Sequence, residues 1–516
     1  MYLKKIAADL DQSRAHIFFC LALSIYIFSP ILIAEHSLIY ILSTSISILL
    51  LFLTSLACRL IFIPLSLLLL SINSFILHIT LHWGTGNTGA RIEVAGLSPS
   101  SESTEYLETY LSYIDTIIPV YFTIGVVLLS HMRKLKPLNG LGILRGFKGL
   151  TIVIIFSIFV CTLIEPRKTI PYYFIDKYFY PVDMEKLRIR DKTIDLIKNK
   201  FTPSINNYNK IAIIIGESAN KNRMGVYGYK SPTTPFLTRA MENENSFIFD
   251  AISPTNQTRY SIPIMLTDAT VDDYDKFFSS PSILTEFRQF GYKTYWFSNQ
   301  GRVGKYDNAI TNISKEANVA KIENLVYRDA KKDSSILKYI EDLDLHTNTK
   351  ELFIFQLMGS HLSYPERYDK DTALIKKPIN SSDDYDNSIH YTDIIIENIY
   401  DSFPKNNFLF VYVSDHGEVV RKGHGFLPPF RDEYEIPLVV LSSHKNSFLD
   451  EMKNLNKASI FNTEGFNDFI KSIAGINEER KKISTKEHIF SVSPQNIYRF
   501  KDTPNYKEGD RLIQIQ

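Results

Sequence analysis

Ser414-Asp415-His416-Gly417-Glu418 sets a carboxylate and an imidazole side by side, immediately after the apolar run Phe408–Val413. Carboxylate oxygen and imidazole nitrogen are ligands for a hard or borderline divalent cation, and a backbone turn at the end of a strand lets both reach one ion. Glu217 stands in the same relation to the run Ile211–Ile215, within Gly216-Glu217-Ser218. It offers a third ligand and leaves one position for a nucleophile or a substrate oxygen. An adjacent Asp-His pair is common on surface loops. Its weight rises here because His361, His416 and His424 each stand near a glycine, the first two shortly after strand-like runs.

The attacking group must be a hydroxyl. The chain's three cysteines are Cys20, Cys58 and Cys161, so residues 162–516 hold no thiol nucleophile, thiolate zinc site or disulfide. The segment Ser253-Pro254-Thr255-Asn256-Gln257-Thr258-Arg259-Tyr260-Ser261-Ile262-Pro263 follows a strand and opens an apolar helix. Its hydroxyls are ordinary helix caps on one reading. On the other, backbone N–H groups at a helix N-terminus receive a phosphate and its developing charge. Coordination to zinc would lower the pKa of such a hydroxyl without a neighbouring base.

These groups need a frame that gathers them. Residues 201–516 alternate apolar strands (211–215, 292–297, 352–357, 408–413, 436–441) with helical patterns such as 282–290 and 384–402. Strands apolar throughout and separated by helices predict an α/β domain, a mainly parallel sheet flanked by helices. Reactive groups in such sheets collect beyond the carboxyl ends of the strands, where Glu217, His361 and Asp415-His416 all fall.

The 516 residues are 45% hydrophobic and 22% charged, with a formal net charge of +1. The length calls for at least two structural units, and the charge balance gives no global attraction to nucleic acid. Five membrane spans are predicted within residues 1–165: 17–34, two in 38–80 split near Arg59, 115–131 and 149–164. Lys4, Lys5, Arg14, Arg59, Arg133, Lys134, Lys136, Arg145 and Lys148 fall on one side of these spans, and Arg91 alone among the loop positions on the other. The positive-inside rule then places the N-terminus in the cytoplasm and residues 201–516 outside, in the periplasm of a bacterium. Residues 166–200 form a connector. Its aromatic and basic cluster at 172–180 suits either the headgroup layer or the underside of the external domain.

Gly216-Glu217-Ser218, Asn222-Arg223-Met224-Gly225-Val226-Tyr227-Gly228-Tyr229 and Thr234-Pro235 resemble the opening motif of bacterial phosphoethanolamine transferases. Asn256–Pro263, Gly359-Ser360-His361, Tyr385-Asp386-Asn387, Ser414–Glu418 and Gly423-His424-Gly425 follow in the family's order. The resemblance covers nearly the whole chain. It implies five transmembrane helices, an inner-membrane location and a periplasmic domain of the alkaline phosphatase/sulfatase superfamily. It further implies Glu217, Asp415 and His416 as zinc ligands, and Thr258, five residues before Pro263, as the nucleophile on the same ion. His361 and His424 would grip the phosphoryl group and assist proton transfer. Asn256 and Gln257 would donate to phosphate oxygens, and Lys305, with Arg302 as its rival, would contact substrate. The implied reaction is transfer of phosphoethanolamine from phosphatidylethanolamine to lipopolysaccharide, on lipid A or a core sugar, by way of a threonine adduct. Diacylglycerol is released, and the added ammonium charge would favour resistance to cationic antimicrobial peptides.

Two features depart from the lipid A members: the external domain has no cysteine, and Gln356 stands where some members carry a further histidine. Both make a heptose or Kdo acceptor at least as good an expectation, with a non-lipopolysaccharide acceptor as the alternative. The rival activity is phosphoglycerol transfer of the lipoteichoic acid synthase type. Sulfatase action is disfavoured by the missing cysteine, and a scaffold with a decayed site by the intact Glu217, Thr258, Asp415 and His416.

Overall fold

A computed structural model describes residues 17–30, 45, 48–49, 51–52, 59–83, 116–132, 182–197, 200–202, 207–300, 309–323, 331–476 and 484–508. The chain divides into two compact units, Met1–Gly96 with Tyr106–Pro181, and Leu97–Glu105 with Val182–Gln516.

In the first unit residues 17–30, Arg59–Trp83 and Ile117–Met132 are helical. They pack through Leu23, Ile27, Phe62, Leu70 and Leu129. Asn73 Nδ2 and Tyr121 Oη both donate to the Ile27 carbonyl, at 2.6 and 2.7 Å, satisfying polar groups inside an apolar bundle. Over the described residues, no helix is long and apolar enough to cross a membrane. The predicted span at 149–164, most of 38–58 and the aromatic cluster at 172–180 lie outside the described residues.

The second unit is built on eight strands: β1 (Lys210–Gly216), β2 (Ser246–Ile252), β3 (Lys293–Ser298), β4 (Val319–Ile322), β5 (Glu351–Gln356), β6 (Phe408–Ser414), β7 (Glu435–Ser442) and β8 (Phe461–Asn462). Their order is β4-β3-β5-β1-β6-β7-β2-β8. All neighbouring pairs are parallel except those made by β7, which runs against β6 and β2. Every residue of β1, β5 and β6 is buried, as their unbroken apolar runs require. Alternate residues feed two cores: Ile211, Ile213 and Ile215 pack on one face, and Ala212 and Ile214 on the other.

Helix α1 (Val182–Ile197) belongs to this unit. Its Arg190, 1% exposed, donates to the carbonyls of Phe277 and Ser280, to Asn312 and to Glu316. Helices α2 (Pro235–Ala240), α3 (Thr258–Leu266) and α4 (Ser381–Ser402) complete the parts that bear on the site. Asn380 caps α4 by accepting from the N–H groups of Ser382 and Asp383.

Candidate active site

Strands β1 and β6 are hydrogen-bonded neighbours in register Gly216↔Ser414, so the residues that follow them, Glu217 and Asp415-His416, emerge together. Ser218 turns the chain with φ 55°, and its N–H donates to Asp415 Oδ1 at 3.3 Å. Gly417 is required by packing, because a Cβ there would lie 2.3 Å from the Asp432 carbonyl oxygen. The loop after β5 also crosses Glu217 closely. Gly359 has φ +50°, and a Cβ on it would lie 2.7 Å from the Glu217 nitrogen. Asp333, buried, fixes this loop by accepting from the N–H groups of Met358 and Gly359, and so carries His361 to the site.

Thr258 is the first residue of α3, at the positive end of the helix dipole. Its hydroxyl donates to Glu217 Oε2 at 3.0 Å, and its oxygen lies 3.2 Å from His416 Nε2. His416 Nε2 also stands 3.2 Å from Glu217 Oε1, while its Nδ1 donates to the Gly417 carbonyl at 2.9 Å. Of the hydroxyls weighed in this segment, Ser261 donates to the Asp415 carbonyl, and Thr255 is fully buried. Among these three, Thr258 alone reaches both Glu217 and His416. His424 packs against His416 with ring centroids 4.1 Å apart and against His361 at 6.0 Å. Glu418, fully buried, accepts from His424 Nδ1 at 2.8 Å and from Tyr364 Oη at 2.6 Å.

Burial opposes ionisation of Glu217, but the imidazoles of His416, His361 and His424 outweigh it and hold the carboxyl well below the usual glutamate value. Burial, then the Glu217 charge, push Asp415 well above the aspartate value. Burial alone would lower His416, yet Asp415 and Glu217 carry it up to about 10. Burial and the charge on His416 push His424 well down.

Two ligand sets share Glu217: one with Asp415 and His416, the other with His361 and His424. Asp415 Oδ2 is buried and makes no hydrogen bond, with His416 Nε2 at 3.5 Å. A buried carboxylate oxygen left in this way costs free energy unless a cation takes it. Two carboxylates, an imidazole and a hydroxyl fit a divalent metal of the zinc type.

Asn256 and Gln257 immediately precede Thr258 in the chain. Asn256 is buried, with its Nδ2 on Glu433 Oε1 (2.8 Å) and Ser491 Oγ (3.1 Å) and its Oδ1 accepting from the Val492 N–H. Both ends of its amide are therefore held by protein partners, so it shapes the loop before Thr258 instead of facing a phosphate. Gln257 Oε1 accepts from Arg259 Nε at 3.0 Å. Lys305 and Arg302 lie outside the described residues. Tyr385 of the Tyr-Asp-Asn motif accepts from the Asn220 N–H and donates to the Ser218 carbonyl, bracing the turn after Glu217. The sequence reading gave no role to Glu418, Asp333 or Gln300; only Glu418 carried a signal, two residues beyond His416 in its motif.

A family model described as Sulfatase matches residues 210–476. Phosphoethanolamine transferase EptC of Escherichia coli O18:K1:H7 is 26% identical over 393 residues, which cover 67% of this chain and 68% of that protein. Phosphoethanolamine transferase EptA of Helicobacter pylori is 29% identical over 297 residues, covering 51% and 54%. The resemblance read from the motifs is thereby borne out. In fold, the chain is similar to the C-terminal periplasmic domain of Escherichia coli EptC, solved in complex with Zn. The TM-score is 0.52 at 22% identity, covering 61% of this chain and 99% of that one. It is also similar to the integral membrane protein lipooligosaccharide phosphoethanolamine transferase A of Neisseria meningitidis. There the TM-score is 0.54 at 15% identity, covering 89% and 95%. The expected alkaline phosphatase/sulfatase-like α/β fold with a mainly parallel sheet is the one observed.

Proposed function

The chain belongs to the sulfatase family of enzymes, and on that premise we propose that it transfers phosphoethanolamine from phosphatidylethanolamine to lipopolysaccharide, on lipid A or a core sugar, through a covalent adduct on Thr258. The observation that carries this reading is the Thr258 hydroxyl, held between Glu217 Oε2 and His416 Nε2 at the N-terminus of α3. The names of the curated relatives favour phosphoethanolamine over the sulfate esters that the family name suggests.

Glu217 Oε2, which accepts the Thr258 hydroxyl hydrogen bond, takes the hydroxyl proton as the Thr258 oxygen attacks phosphorus. A P–O bond to Thr258 forms, and the P–O bond to diacylglycerol breaks. The leaving oxygen takes a proton from His361, the imidazole that stands beside Glu217 and the His424 ring. An acceptor hydroxyl then attacks the same phosphorus and gives its proton to that imidazole; the bond to Thr258 breaks and the Thr258 oxygen takes its proton back from Glu217. Glu217, Asp415, His416 and Thr258 would hold a zinc ion, which lowers the hydroxyl pKa and offsets charge on the phosphoryl oxygens. Lys305 remains the proposed substrate contact.

Residues 1–165 serve in this reading as a five-helix anchor in the bacterial inner membrane, with residues 166–200 as connector and 201–516 as the periplasmic catalytic domain. The lipid donor is membrane-borne, which suits the apolar segments of the first unit and their one-sided Lys/Arg loops. Mass spectrometry of lipopolysaccharide from cells with the protein, without it, and with Thr258→Ala tests the reading. A phosphoethanolamine mass increment that needs Thr258 is expected. Its absence in cells that make the protein and the donor would sink it.

A further inference from the structure

Gln300, two residues beyond β3, donates through Nε2 to Glu217 Oε2 at 2.9 Å and to the Leu357 carbonyl at 2.8 Å. Glu217 Oε2 is the same oxygen that accepts from Thr258. Gln300 Oε1 accepts from Gln356 Nε2 at 2.7 Å, and Gln356 Oε1 accepts from Ser298 Oγ at 3.0 Å. The chain of bonds runs across the carboxyl ends of three adjacent parallel strands, β3, β5 and β1. The register places it there, with Ser298 opposite Gln356 and Gln356 opposite Ile215. One orientation of each amide lets every pair form. Turning Gln300 over would set its carbonyl against the Glu217 carboxylate and its amino group against the Gln356 amino group.

Resting on the zinc reading above, we propose that Gln300 is a positioning residue for the metal ligand Glu217, and that Gln356 acts through it by fixing its amide. The choice of donor matters. A lysine or arginine at this place would neutralise Glu217 and repel a cation, whereas an amide directs the carboxylate while leaving its charge for the metal. Glu217 Oε1 accepts from Ser218 Oγ and stands beside the His416 ring, while Oε2 is shared by Thr258 and Gln300, so Gln300 holds the oxygen that the nucleophile also bonds.

The test uses the full chain in detergent, stripped of metal, with zinc affinity measured by competition against a chromogenic chelator. Gln300→Met keeps length and removes both donor and acceptor. It is expected to weaken zinc roughly 10-fold or more, the range for losing a hydrogen bond to a ligand from outside the coordination sphere. Gln356→Met acts in the same direction with a smaller effect, and Ser298→Ala less again. Melting temperature of the stripped proteins separates this from a fold defect, since a merely structural role lowers melting and leaves zinc affinity alone. Unchanged affinity in Gln300→Met, beside a wild type that binds zinc, overturns this proposal only. A wild type that takes up no zinc overturns it together with the metal reading. Graded loss of affinity supports it even where phosphoethanolamine transfer fails.

Discussion

The two ends of strands β1 and β5 carry acidic groups of opposite fate. At the amino ends Lys210 and Glu351 face each other in register, and Lys210 Nζ meets Glu351 Oε2 at 2.6 Å. Lys210 also donates to Thr347 and Thr349, and Glu351 accepts from Tyr295 Oη, so this buried pair is satisfied within the protein. Beyond the carboxyl end of β1, Glu217 meets Asp415 from the end of the neighbouring β6; among the described residues neither has a lysine or arginine as a bonded partner, and Asp415 Oδ2 makes no hydrogen bond. One end is neutralised by the chain. On the proposed function, the other is neutralised by a bound cation. The contrast separates a carboxylate kept for the fold from carboxylates kept for a ligand.

The comparison can be broken most strongly at its reactive end. Thr258→Ala should reduce transfer on the order of 10³-fold or more, the scale of losing a covalent nucleophile. It should leave melting nearly unchanged, as read by product mass and thermal unfolding of the purified chain. Next, Lys210→Met should cost about 3–5 kcal/mol of stability by leaving Glu351 buried without its cation. Adding Glu351→Gln, which still accepts from Tyr295, should recover much of that loss. If the double variant melts as early as the single, the amino end is not the self-satisfied pair described here.

Zinc added at about 100 times its dissociation constant should stabilise the stripped protein by about 2.7 kcal/mol. Asp415→Asn should abolish that gain, yet melt no earlier than stripped wild type, because burial and the Glu217 charge already disfavour ionised Asp415. Earlier melting would make Asp415 a structural residue. A further effect lies away from both ends. Asp393 on α4 is buried and accepts from the N–H groups of Phe236 and Leu237 at the start of α2, and burial pushes it up to about 7. A raised carboxyl pKa means that the folded state keeps a proton the unfolded chain has lost. Stability should therefore fall as pH rises from about 4 to about 7, by at most about 1.4 kcal/mol per pH unit. Thermal melts against pH should show this slope in wild type and a flatter one in Asp393→Asn.

Much of the frame was readable in advance because its signals are local. The apolar runs at 211–215, 352–357 and 408–413 are long enough and unbroken enough to name buried parallel strands, and β1, β5 and β6 occupy them. The edge strand β4, Val319–Ile322, has no fully buried residue and left no such mark. Asn256 drew attention by its place beside Thr258, but nothing local foretold that Glu433, Ser491 and Val492 would hold its amide.

The sequence by itself determined which chemistry is available: hydroxyls in place of thiols beyond Cys161, and acidic and imidazole groups just past strand ends. Strand order decided the rest. Because β1 lies between β5 and β6, the ends of segments nearly 200 residues apart become neighbours, and Glu217 meets His416 on one side and the Gln356–Gln300 chain on the other. Periodicity along a chain reports which face of an element is buried. It carries no information on which element lies beside it, and the partners of a side chain at a strand end are set by that neighbour alone.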